Sequence, residues 1–91
     1  MTNKFLNIYT KFINEQFPVS QRKELINSIK DTITLYDLGL DSFDIFMFTW
    51  MLEKEYDSEN SYQINGKTTI IDLNNFFEKK LTNNDNRGSQ G

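Results

Sequence analysis

The sequence predicts an all-α protein, a small bundle of four helices. Two observations carry this. Apolar residues recur at spacings of three and four in the first, middle and last thirds of the chain. A β-branched run, Thr32-Ile33-Thr34 before Leu35, is too short and isolated to build a sheet.

The first helix is expected from about Asn3 to Gln16. Phe5, Ile8, Tyr9, Phe12 and Ile13 fall on one face, Thr2 or Asn3 caps the start, and Pro18 pushes residue 17 out of helical geometry. A short second helix is expected over Ser20–Lys30, with Ser20 as its cap and Leu25, Ile26 and Ile29 as its apolar contacts. Asp31–Tyr36 reads as an irregular connection laid over the core. The strongest helix runs from Ser42 to about Tyr56, with Asp41 as N-cap and Asp44 adding negative charge to the first turn. Asp57–Lys67 is polar and reads as a loop, with one weak helical turn around Tyr62–Ile64. The last helix starts near Thr69, which forms a capping-box pattern with Asp72; Ile70, Leu73, Phe76 or Phe77, and Leu81 supply its buried face. Residues 1–82 form the domain. Residues 83–91 are expected to be disordered, and the terminal Gly-Ser-Gln-Gly reads as an appended remnant.

Composition narrows the function. At 91 residues the chain is one small domain with a modest core. Its net charge of -3 and pI near 4.8 argue against nucleic acid and against an anionic membrane surface, and favour partners with basic patches. Cysteine and histidine are absent, which removes disulfides, Cys/His zinc sites, a cysteine nucleophile and a Ser-His triad. The chain therefore reads as no enzyme. Glu53 and Glu55 read as a solvated helix end, not a catalytic pair. The spacing Asp37, Gly39, Asp41 fails as a calcium loop, because the third position is glycine and the twelfth is Phe48. No apolar run reaches the ~20 residues of a membrane span, so a cytoplasmic monomer is the expectation.

The helix after Ser42 carries two apolar stripes. Ile45, Phe48, Leu52 and Tyr56 share one side. Phe43, Met47, Trp50 and Lys54 share the other, with Phe46 and Met51 between. Two readings are open: a central helix buried all round, or a core face opposite a partly exposed docking face of Phe43, Met47 and Trp50.

The run Asp37-Leu38-Gly39-Leu40-Asp41-Ser42 puts a serine at the head of this helix, after a turn that Gly39 makes possible. Free amides and the positive helix end there favour an anion, while Asp37, Asp41 and Asp44 oppose it. Read blandly, it is a helix cap after a glycine turn. The run resembles the Asp-x-Gly-x-Asp-Ser signature of the acyl carrier protein family. Met51-Leu52-Glu53-Lys54-Glu55-Tyr56 and Lys67-Thr68-Thr69-Ile70 resemble further parts of that family, and the resemblance covers about residues 3–81.

The resemblance implies a four-helix bundle of acyl-carrier type. It implies 4'-phosphopantetheine on Ser42, taken from coenzyme A by a phosphopantetheinyl transferase, with Asp37, Gly39 and Asp41 shaping the attachment turn. It implies that Phe43, Asp44, Met47 and Trp50 meet partners: the transferase, an acyl- or aminoacyl-loading ligase, and downstream synthase or transferase enzymes. The chain departs from the family pattern in three ways. The helix after Ser42 has the uncharged middle Ile45-Phe46-Met47-Phe48-Thr49-Trp50, the Phe17–Lys30 segment is long, and the expected third helix is short or poorly formed. A stand-alone carrier in a secondary-metabolite or lipid pathway, such as specialised fatty-acid or polyketide synthesis, fits better than the housekeeping fatty-acid role. An aminoacyl or peptidyl carrier of D-alanyl type is the alternative, as is an unmodified carrier-like interaction module.

Overall fold

A computed structural model describes residues 1–58 and 64–78. Four helices appear among these residues: α1 Asn3–Gln16, α2 Val19–Ser28, α3 Ser42–Glu55, and α4 over residues 70–78. The only strand-like pairing among them is a single antiparallel bridge between Thr34 and Thr69. No helix is long and apolar enough to cross a membrane among the described residues. The weak turn expected around Tyr62, Leu81 of the last helix and the tail 83–91 lie outside the described residues.

α1 forms where its periodicity placed it. The Thr2 side chain accepts a hydrogen bond from the Phe5 amide, and Phe17 ends the helix in an extended conformation ahead of Pro18. Its apolar stripe, Phe5, Ile8, Tyr9, Phe12 and Ile13, is buried. α2 departs from expectation at its start. Pro18, not Ser20, is the N-cap residue, and no side chain caps the helix. The fixed φ of proline already suits helix entry, so the helix begins at Val19 and Ser20 falls inside the first turn. α2 buries none of its residues fully. Leu25, Ile26 and the following Ile29 are half-buried against the core, and the Tyr9 hydroxyl donates to the Leu25 carbonyl at 2.7 Å.

α3 is the centre of the core. The Phe48 ring meets Phe5 and Tyr9 edge-on at 5.7 Å and stacks on Phe12 at 5.1 Å. Tyr56 stacks on Phe77 of α4 at 5.4 Å, and its hydroxyl donates to Glu78. The helix ends in a Schellman motif built on aspartate instead of glycine. Asp57 has φ 50°, the Ser58 amide donates to the Glu53 carbonyl, and the Asp57 amide donates to the Lys54 carbonyl.

The connection of residues 29–41 proves more ordered than a bare loop. Amides of Leu35 and Tyr36 donate to the carbonyls of Thr68 and Gly66, and amides of Ile70 and Ile71 donate to those of Ile33 and Asp31. The β-branched run finds its partner in the segment that leads into α4, which satisfies its main-chain groups without a sheet. The Tyr36 ring lies over Gly66, where a Cβ would come within 2.2 Å of it. Thr69 caps α4 by accepting from the Asp72 amide. The chain start is tied to the same helix, because the Thr2 amide donates to the buried Asn74 side chain at 2.9 Å.

Candidate functional site at the head of α3

Three leucines pin the turn that leads to Ser42. Leu35, Leu38 and Leu40 are buried, while Tyr36, Asp37 and Gly39 between them are exposed. The turn closes on itself: the Leu38 amide donates to the Thr34 carbonyl, Gly39 to Tyr36, and Leu40 to Leu35, and the Asp37 amide donates to Thr34 Oγ1. Gly39 sits at φ +92°, and a Cβ there would meet nothing within 4 Å. The requirement for glycine is therefore one of backbone strain alone. Gly39→Ala is expected to cost about 1–2 kcal/mol in urea unfolding; an unchanged midpoint would show that the turn does not hold positive φ.

Asp41 fixes where the helix starts. Its carboxylate accepts from the Asp44 amide at 2.8 Å, and the Asp44 carboxylate accepts in return from the Asp41 amide at 3.1 Å. This reciprocal capping box makes Ser42 the first helical residue. Sequence reasoning placed the Asp41 cap and gave Asp44 a charge role and a partner contact, but not the return bond to the cap. The signal for the return bond was its position three residues beyond the cap. Burial, then the adjacent Asp41 carboxylate, raises the Asp44 carboxyl above its ordinary pKa, against the lowering effect of the bond from the Asp41 amide.

Ser42 is exposed. Helix geometry leaves the amides of Ser42 and Phe43 without intrahelical acceptors, and both lie at the positive end of a 14-residue helix. The positive helix end favours an anion beside the Ser42 oxygen. Asp37 shares the turn but stands five residues from Ser42, on its exposed rim.

α3 is not buried all round. Ile45, Phe48, Thr49, Met51, Leu52 and the following Tyr56 enter the core. Phe43 and Phe46 are each 65% exposed and Trp50 is 46% exposed. The two intermediate residues divide: Met51 joins the core, where Lys11 and Glu15 of α1 lie alongside, and Phe46 joins the outer face. Met47 is half-buried and packs against the core, which leaves it at the margin of that face. The outer stripe is thus Phe43, Phe46 and Trp50, at positions i, i+3 and i+7. The Lys54 ammonium sits 4.4 Å from the Trp50 ring centre and closes the stripe at its far end. Phe46 was missed because it lies 60° from Phe43 on a helical wheel, on the boundary between the two apolar sides.

No protein-family model, curated protein or solved structure matches the chain.

Proposed function

We propose that this protein is an acyl carrier and not an enzyme, bearing 4'-phosphopantetheine on Ser42 in a specialised secondary-metabolite or lipid pathway of the cytoplasm. The observation that carries the reading is the presentation of Ser42. An exposed hydroxyl opens the most apolar helix of the domain, behind a positive-φ glycine turn held to the core by Leu38 and Leu40. A modifying enzyme needs that hydroxyl in reach and in one place, and the capping box and buried leucines provide both.

Attachment breaks the pyrophosphate bond of coenzyme A and forms a bond from Ser42 Oγ to phosphorus. Adenosine 3',5'-bisphosphate leaves, and the serine proton passes to a base of the phosphopantetheinyl transferase. The Ser42 and Phe43 amides lie where they can hold the phosphodiester, and Asp41 keeps the helix from starting earlier or later. Asp37 and Gly39 shape the approach. The thiol end of the arm supplies the thioester chemistry. The chain contributes position, partner contacts and release.

The stripe of Phe43, Phe46 and Trp50, with Asp44 and Met47 at its margins, is the docking face for the transferase, a loading ligase and downstream synthases. A carrier visits these in turn, so the interface is small and short-lived. Trp50→Ala and Phe43→Ala are each expected to slow arm transfer at least tenfold, the loss of ~1.4 kcal/mol of contact, with stability changed little. An equal loss of stability in chemical unfolding would assign these rings to the core instead. Met47 is unsuited to this test because its half-buried side chain packs inward.

The reading is tested by intact-protein mass spectrometry after co-expression with a broad-specificity phosphopantetheinyl transferase. The expected result is a gain of one phosphopantetheine. The same aromatic stripe also favours a second reading, an interaction module with Ser42 left unmodified. An unchanged mass favours that reading.

A further inference from the structure

A cleft of about 290 Å³ separates α2 from the turn that leads to Ser42, close to the smallest volumes typical of small-molecule sites. Half-buried Phe17 and Leu25 and buried Leu38 give it an apolar floor. Exposed Glu24 and Asp37 put a carboxylate on each side of its mouth, one from the helix and one from the turn. No lysine or arginine lines it. Of the two basic residues of α2, Arg22 is engaged with the Phe17 carbonyl, to which its Nε donates at 2.9 Å, and Lys23 is exposed outside the lining.

We infer that this cleft receives the end of a short acyl chain that carries a primary ammonium, so that the cargo is of aminoacyl class. The inference rests on the reading of Ser42 as the attachment site. Gly39, which lines the cleft, is three residues from Ser42, so their Cα atoms are at most about 11 Å apart. An extended pantetheine arm is longer than that and folds back to the cleft. The methylenes of the cargo cover Phe17, Leu25 and Leu38, and its ammonium stands between Glu24 and Asp37. Exposed carboxylates hold an ammonium weakly in water. Tethering compensates, because a short flexible link brings the group to an effective concentration in the millimolar range. A purely aliphatic chain gains the floor but nothing from the acidic mouth.

The test uses the full chain loaded from butyryl-coenzyme A or from β-alanyl-coenzyme A, two arms of equal length that differ in a terminal methyl or ammonium. Amide chemical shifts are compared with those of the chain carrying the free thiol arm. The β-alanyl arm is expected to move the amides of Gln21, Glu24, Leu25 and Gly39 at least twice as far as the butyryl arm. That excess should fall by half or more in Glu24→Gln and disappear in 0.5 M sodium chloride, since surface pairs are screened at about that ionic strength. Equal shifts from the two arms, or shifts confined to α3, overturn the inference and leave the attachment reading intact. Attachment of neither arm to Ser42 overturns both.

Discussion

Ser42→Ala is expected to abolish the phosphopantetheine mass gain completely and to leave stability within about 0.5 kcal/mol of the parent, as for an exposed surface substitution. The two halves of that result have separate physical grounds. The hydroxyl is exposed at the first position of α3, and the helix start is fixed by the Asp41 and Asp44 carboxylates, which do not involve it. Alanine is the best helix former and suits the position. Ser20 and Ser28 are also exposed, but both belong to α2, whose start carries no side-chain cap and no glycine turn. Retention of the gain in the variant would place the arm elsewhere. Loss of the gain together with the fold would make Ser42 a structural residue, and the carrier reading would lose its central observation.

The largest loss of stability is expected at Phe48. Its ring is fully buried and touches three aromatic rings of α1, so Phe48→Ala leaves a cavity that the stiff neighbours Phe5, Tyr9 and Phe12 fill poorly. Substitutions of this kind cost about 3–5 kcal/mol. A domain of this size holds roughly 4–12 kcal/mol in total, at ~0.05–0.15 kcal/mol per residue. The variant should therefore be marginal or unfolded at room temperature, read as a collapse of the urea midpoint by far-ultraviolet circular dichroism. A loss under about 1 kcal/mol would mean that α1 and α3 do not pack through this ring.

The helices with strong periodicity were legible in the sequence. α1 follows from five apolar residues on one face between a threonine cap and a proline, and α3 from an aspartate cap ahead of an apolar run. At the candidate site, the positive φ of Gly39 and the start at Ser42 were legible for the same reason: both are set by local chemistry within a few residues. What escaped depends on contacts distant in the chain. The pairing of residues 31–36 with 66–71 joins two segments that α3 separates, and neither announces the other. The assignment of Met51 to the core and Phe46 to solvent depends on where α1 lies against α3, which a helical wheel does not contain. Ser20 is a cap by residue type, whereas the fixed geometry of Pro18 puts the cap two residues earlier.

The four main-chain bonds between residues 31–36 and 66–71 have a bearing on biosynthesis. A growing chain on the ribosome holds Ser42 long before it holds Thr68 or Ile71. Until those residues emerge, residues 31–36 lack the acceptors and donors that pin them, although Asp41 and Asp44 already set the helix start at Ser42. The turn ahead of α3 therefore reaches its final place only after translation has passed Ile71.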